Sequence, residues 1–123
     1  MNFSTYLENK LIDQTFRNLT YTFPTTMYIG LCTAVPTSTL TGSTIAEVVG
    51  ASYSRQPVVC TTANWASTNG TASGPSTGTS GNTDNVNAIT FTQSTENWNT
   101  ISAVAILDAS SAGNMLFFGS LSS

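Results

Sequence analysis

The first periodic feature of the chain is a helical spacing of apolar residues near the N-terminus. The stretch from 4 to 17 reads STYLENKLIDQTFR, in which Leu7 and Leu11 lie four residues apart. Residues at this spacing share one face of an α-helix, and Thr5 and Glu8 have the spacing of a capping box at a helix start. The pattern predicts one helix over residues 4–17, with Leu7 and Leu11 facing inward.

Further along the chain, apolar residues alternate as they do in β-strands. Strands are predicted over TTMYIGLCT (25–33), YSRQPVVC (53–60), VNAITFT (86–92), TISAVAIL (100–107) and NMLFFGSL (114–121). Pro57 confines the second of these to an edge or a bulge, because proline has no N–H to donate within a sheet. The last two strands are apolar on both faces, which predicts a hairpin covered on both sides, with Phe117 in the core.

These elements predict a mainly β fold: a small antiparallel β-sandwich or barrel with one N-terminal α-helix. With 123 residues, the chain has the usual length of a single domain. We therefore expect one domain over residues 1–123, with a β core over about 25–121. Residues 61–85 are rich in Ser, Thr, Gly and Asn, a composition that predicts a flexible, exposed loop.

The chain carries very little charge. Asp, Glu, Lys and Arg make up 7% of the residues, against roughly a quarter in ordinary soluble proteins, and the net charge is −3. A surface of hydroxyl and amide groups can be covered by a partner at little electrostatic cost, which favours a role within an assembly. The three basic residues argue against a nucleic-acid partner, and no apolar run is long enough to span a membrane. The N-terminus lacks the pattern of a secretion signal, so we expect synthesis in a host cytoplasm.

The sequence offers few residues for metal or acid–base chemistry. It contains no histidine, and its two cysteines, Cys32 and Cys60, each lie in an apolar run. We expect both to be small buried side chains, with no metal site and no cofactor. Asp108 stands at the start of a loop that ends at Gly113, a position typical of a side chain that caps a turn. We expect no catalytic residue and no enzymatic activity.

Three further side chains are candidates for particular roles. Arg55 is either an anchor for a partner's carboxylate or the internal partner of Glu47 or of a loop carbonyl. Trp65, at the root of the polar loop, is either a core plug or an exposed interface anchor. Trp98, just before a strand, is expected to be a core residue whose N–H reaches a loop carbonyl.

Four stretches of the sequence together are similar to a known family. They are YLENKLID, MYIGLCTAVPT, EVVGASYSRQPV and NAITFTQSTENWNTISAVAILDASSAGNMLFFGSL. Their order resembles a family of small structural proteins of tailed bacteriophages, variously labelled tail-fibre-like, minor structural or, in some freshwater cyanophages, capsid cement proteins. The resemblance covers nearly the whole chain apart from the loop over 61–85. It implies a protein without enzymatic activity that lies on the virion and, for the cement members, on the outer face of a shell of major capsid protein.

Two functions follow as expectations. The first is a capsid cement or decoration protein that bridges capsomers on the capsid surface, with the major capsid protein as partner and a homo-oligomer, a dimer or trimer, as its state. The alternative is a tail-fibre or baseplate module that binds a host receptor or glycan. The candidate partner contacts are Phe3, Tyr6, Arg55 and Trp65. Residues 1–20 hold more apolar side chains than one helix face needs, so we expect some of them to meet another surface.

Overall fold

A computed structural model of the protein describes residues 1–70 and 73–122. In chain order, its elements are β1 (Asn2–Phe3), α1 (Thr5–Phe16), β2 (Thr26–Cys32), β3 (Gln56–Val59), β4 (Ala103–Leu107) and β5 (Met115–Ser120). The prediction of a mainly β, antiparallel fold with one N-terminal helix is confirmed. Thr71 and Ala72 of the predicted loop, and Ser123 at the end of the predicted domain, lie outside the described residues.

The five strands form one antiparallel sheet in the order β1-β5-β4-β2-β3. In its centre, Ile106 of β4 lies between Ile29 of β2 and Phe117 of β5. β3 is an edge strand, as Pro57 predicts. Within the described residues, α1 and irregular segments take the place of a second sheet in covering this one.

The ends of α1 are set by local hydrogen bonding. The hydroxyl of Ser4 accepts a bond from the Leu7 N–H at 3.1 Å, so the N-cap lies one residue before the predicted capping box. Asn18, just past the helix, adopts a left-handed conformation with φ 52°, which turns the chain away from the helix axis. α1 contacts β5, with Leu7 buried as predicted and Leu11 half-buried.

One face of the sheet, which we call the closed face, holds the hydrophobic core. From β4 it takes the alternate residues Ala103, Ala105 and Leu107, all fully buried. The rest of this cluster consists of Cys32, Ile45, Met115 and Phe118, with Tyr28 and Leu40 packed against it. Small residues on the central strands let the covering segment come close: a Cβ at Gly30 would lie 2.9 Å from Glu47 Oε1.

The strand predicted over residues 86–92 is wrong. The segment is irregular, and its two largest side chains reach separate parts of the fold. Ile89 lies against the sheet face opposite the core, and Phe91 stacks on Tyr53 with ring centroids 6.1 Å apart. Because side-chain burial is gained without strand pairing, apolar alternation alone does not make this segment a strand.

Trp98 lies beside the same tyrosine. Its ring packs edge-on against Tyr53 at 5.5 Å, and its Nε1–H donates to the Ala51 carbonyl at 3.0 Å. The predicted bond to a loop carbonyl is confirmed. The side chain is half-buried, so Trp98 closes one margin of the fold instead of lying in its core.

Cys32 and Cys60 are both free thiols and lie near opposite ends of β2. Cys32 is buried, as predicted, and burial raises the pKa of its thiol to about 11. The prediction that Cys60 is buried is wrong: the pairing of β3 ends at Val59, and the next residue is exposed. Partial desolvation also raises the pKa of the Cys60 thiol.

This contrast predicts two classes of thiol reactivity. At about pH 8, we expect a thiol-specific reagent to modify Cys60 in the folded protein and Cys32 only on unfolding, because reaction requires an accessible thiolate. Following reagent uptake before and after adding denaturant measures both. Cys60→Ser should abolish the native-state reaction while Cys32→Ala leaves it, and equal rates for the two thiols in the folded protein would contradict the expectation.

Candidate functional site

The guanidinium of Arg55 is buried beside the closed face and makes all its hydrogen bonds within the chain. Nε and Nη2 bond the carboxylate of Glu47, at distances from 2.7 to 3.1 Å. Nη1 donates to the carbonyls of Ala109 and Ala112 at 2.8 and 2.9 Å, and Nη2 also donates to that of Gly42 at 2.9 Å. All five N–H groups are thereby used. Arg55 thus pairs internally, one of its two predicted interpretations, and its role as a partner contact stays a prediction.

Tyr53 completes this polar cluster. Its hydroxyl donates to Glu47 Oε1 at 2.7 Å and accepts from the Leu31 N–H at 2.9 Å. Burial, followed by the bond to Glu47, raises the pKa of Tyr53 well above its ordinary value. Burial and the neighbouring Tyr6 raise the pKa of Tyr21 to about 12. The fold therefore holds both hydroxyls in their neutral form.

These raised pKa values predict a loss of stability at alkaline pH. Once the pH exceeds the ordinary tyrosine pKa of about 10, the unfolded chain releases protons that the folded chain retains. Stability is therefore complete below that pH and falls as the pH rises towards the folded value, about 12 for Tyr21. We expect the free energy of unfolding in urea to decline over this window, and less steeply for Tyr53→Phe. An identical decline in the two proteins would contradict the assignment to Tyr53.

Asp108 caps the loop between β4 and β5, as predicted. Its Oδ1 accepts from the Asn114 backbone N–H and its Oδ2 from the Asn114 side-chain amide, both at 2.7 Å. Gly113, with φ 70°, supplies the left-handed conformation that closes the loop. The carboxylate is thus occupied in holding the loop that also provides two carbonyls to Arg55.

The face of the sheet opposite the core, which we call the open face, is only partly covered. Residues of the segments 61–70 and 73–89 lie across it and leave a cleft of about 1090 Å³, the open-face cleft. The floor consists of apolar side chains from three strands: Met27, Ile29, Val104, Ile106 and Phe117. The walls carry hydroxyl and amide groups of the loop, together with Asp84. The cleft therefore has an apolar floor and a polar rim.

The hairpin of β4 and β5 is fully covered on one face only. On the open face, Val104, Ile106 and Phe117 are half-buried. The prediction of two covering layers, with Phe117 in the core, is therefore wrong. The physical reason lies in the loop over 61–85, whose one large apolar side chain is Trp65, too little to cover three strands.

Phe3 and Trp65, two of the candidate partner contacts, both line the open-face cleft. Phe3 is 46% exposed, and its ring packs edge-on against Phe117 with centroids 5.2 Å apart. Trp65 is half-buried, and its bridge to Asn85 fixes the root of the loop. The Trp65 Nε1–H is shielded from solvent and has no partner in the described part of the chain.

A second apolar surface lies on the N-terminal segment. This N-terminal apolar surface consists of Ile12, Phe16, Leu19 and Phe23, which are 50, 82, 50 and 50% exposed. At about 100° per residue, Phe16 lies on the side of α1 opposite the buried Leu7. Leu19 is held against the helix end, because its N–H donates to the Asp13 carbonyl at 3.1 Å. The expected excess of apolar side chains in this segment is thus present and exposed.

Tyr6, the remaining candidate contact, is half-buried near this surface. Its ring meets Tyr21 edge-on at 6.2 Å, and Tyr21 meets Phe23 at 4.7 Å. Lys10 Nζ lies 5.5 Å from the centre of the Tyr6 ring. The four candidate contacts therefore fall in three places: Phe3 and Trp65 share the cleft, Tyr6 lies by the helix, and Arg55 is buried.

The two apolar surfaces are the features of the described residues that suit association. Over residues 1–70 and 73–122, no group of three His, Cys, Asp or Glu side chains could hold a metal ion. In the same part of the chain, no helix has the length and apolar character needed to cross a bilayer. Both apolar surfaces carry little charge, a property of the central regions of protein–protein interfaces.

Sequence reasoning missed the floor of the cleft. The apolar side chains of β2 and β4 are easily recognised, but which face lacks cover depends on how the intervening segments pack. One signal was present in the sequence: strands with two apolar faces alternate with connecting segments that hold few large apolar residues. That imbalance implies that part of the sheet remains open.

Comparison with known proteins gives one family. The family model described as "Podophage GP4 fiber I protein gp80" matches residues 2–123. The match therefore includes α1, all of the sheet and the loop across the open face. A comparison with curated proteins finds no match.

Proposed function

Because the chain belongs to the podophage GP4 fiber I protein gp80 family, it is a phage structural protein, and we propose that it is a non-enzymatic subunit of a fibre on the virion. A fibre subunit must bind its neighbours through surfaces that stay accessible after the chain has folded. The N-terminal apolar surface, with Phe16 82% exposed, is the observation that carries this proposal. Large exposed apolar side chains in one segment mark an interaction site.

The proposal that the protein is not an enzyme is supported by two of its six acidic groups, which are bonded within the chain. Glu47 is bonded to Arg55 and Tyr53, and Asp108 is bonded to Asn114. The sequence contains no histidine that could act as a general base beside a nucleophile. The protein would therefore act on a partner by binding it and not by chemistry.

A capsid cement protein is the second candidate. It would lie on the capsid surface and bridge neighbouring subunits of the major capsid protein. The same N-terminal apolar surface favours this role, because a weak contact repeated many times around a shell adds to its stability. A dimer or trimer would present several such surfaces together.

A fibre also brings the virion to its host, so a host receptor or glycan is the partner that this role implies. The described feature that suits a sugar is the wall of the open-face cleft, where Trp65 lies among hydroxyl and amide side chains, in a copy whose cleft no other protein occupies. Aromatic rings pack on the faces of sugar rings, and amides bond their hydroxyls.

Copy number in purified virions tests the proposal and separates the two candidates. Quantitative mass spectrometry would compare peptides of this chain with peptides of the major capsid protein. A fibre subunit is expected at a small fraction of the capsid protein, whereas a cement protein approaches the number of capsomers. Absence from virions that contain all other structural proteins would contradict both roles.

A further inference from the structure

We propose that the N-terminal apolar surface of one copy docks into the open-face cleft of the next copy, so that the subunits associate head to tail. The inference rests on the proposed function, in which many copies of the chain act together. It adds the two faces that meet and the order in which they repeat.

The chain exposes more surface than a compact monomer of its mass. A compact monomer of 12.9 kDa is expected to expose about 6,300 Å², whereas this chain exposes 7503 Å². The excess, roughly 1,200 Å², exceeds the area of about 800 Å² that one partner contributes to a standard interface. The chain is therefore less compact than a typical monomer of its mass, as expected of a subunit that neighbouring molecules cover.

The N-terminal apolar surface and the open-face cleft have complementary shapes. Ile12 and Phe16 lie four residues apart on α1, the spacing of side chains that anchor an amphipathic helix in an apolar groove, and Leu19 lies just past the helix end. The open-face cleft is such a groove, with an apolar floor that its own loop does not fill. A projecting surface and a recess of the same chemistry are therefore present on one chain.

The N-terminal segment of a chain does not fill the cleft of the same chain. Among the described residues before β2, only Met1 and Phe3 line it. Phe16 lies at the far end of α1, about 17 Å along the helix from Thr5. An N-terminal apolar surface that enters the cleft must therefore come from another molecule, and the surface of an identical chain is available in equal number.

Charge permits this contact. The cleft holds Asp84 on its rim, and Arg17, at the end of α1, is an exposed basic side chain. Arg17 is paired with Asp13 at 2.9 Å but keeps 64% of its side chain exposed. Docking through the end of α1 would thus bring the Arg17 guanidinium towards this acidic rim.

Two different faces that bind each other form a heterologous interface, which extends into a ring or a filament. This predicts a particular behaviour of variants. Phe16→Asp removes the projecting surface, and Thr62→Arg, at an exposed position on the cleft wall, obstructs the recess without altering the sheet. Phe3→Asp is a second cleft variant, and Val49→Asp, at a residue 90% exposed and outside both surfaces, is the control.

Sedimentation of the full chain over a range of concentrations gives the test, with thermal unfolding to show that each variant is folded. We expect the wild type and Val49→Asp to form species larger than dimers, and each interface variant alone to associate at least tenfold more weakly. A mixture of Phe16→Asp with Thr62→Arg or Phe3→Asp should form dimers and nothing larger, because one intact pair of faces remains.

Three outcomes would overturn the inference: a wild type that stays monomeric, variants that associate like the wild type, or a mixture as weak as its components. The last would indicate a symmetric interface in which like surfaces meet. None of these bears on whether the chain is found in virions, so failure of the inference and failure of the proposed function are distinguishable.

Discussion

Replacing Arg55 with methionine is expected to lower the free energy of unfolding by about 3–5 kcal/mol, because it leaves a carboxylate without its counter-charge in a poorly hydrated site. The side chain of Arg55 is 4% exposed and that of Glu47 16%. The carbonyls of Gly42, Ala109 and Ala112 would lose their donor at the same time. A domain of this size is stable by only about 5–15 kcal/mol, so the loss is a large part of the total.

Urea denaturation measures this effect, and the chain contains a matched control. Arg17→Met breaks the exposed pair with Asp13 on α1 and should cost less than about 0.5 kcal/mol. Arg55→Lys should remain clearly destabilising, since an ammonium group cannot reproduce the five-donor fork. Similar small losses of unfolding free energy for Arg17→Met and Arg55→Met would contradict this expectation. They would show that the buried pair does not hold residues 42–47 to the loop between β4 and β5.

Leu107→Ala is expected to cost about 2–5 kcal/mol, because Leu107 is fully buried in the core on the closed face. Its neighbours belong to two other strands, since it lies opposite Tyr28 of β2 and Met115 of β5. The strands cannot collapse freely around the missing side chain, so a cavity would remain. The measurement is again equilibrium unfolding.

Two further variants provide reference values for this loss of unfolding free energy. Leu121→Ala, at a leucine 47% exposed, is the matched control and should cost well under half as much. Phe117→Ala should cost less than the full loss of a buried phenylalanine, because one side of its ring borders the open-face cleft. A larger loss for Phe117→Ala than for Leu107→Ala would mean that the two faces of the sheet have been assigned the wrong way round.

The elements recognised from the sequence are those with a local signal. α1 was predicted within a residue at each end, because the spacing of Leu7 and Leu11 is a property of the helix itself. Four of the five predicted strands are present, and each is shorter than predicted, although β4 ends at Leu107 as predicted. Pro57 was correctly placed on an edge strand, since proline limits pairing whatever the rest of the fold.

The features that could not be predicted depend on contacts between distant segments. Residues 86–92 alternate like a strand, but their burial comes from Tyr53 and from the open face of the sheet. β1 has only two residues and owes its existence to β5, to which it pairs from the other end of the chain. The partners of Arg55 lie up to 57 residues away, so the sequence leaves its pairing open.

A cryo-EM reconstruction of the parent virion tests the central claim, that this chain is a structural subunit of a virion fibre, most directly. The account predicts repeated density for the five-stranded sheet and α1 within a fibre, with Phe16 covered by a neighbouring molecule. Density for this fold on the capsid shell would place the chain among cement proteins instead. A fibre built without this chain, or one in which Phe16 faces solvent in every copy, would contradict the account.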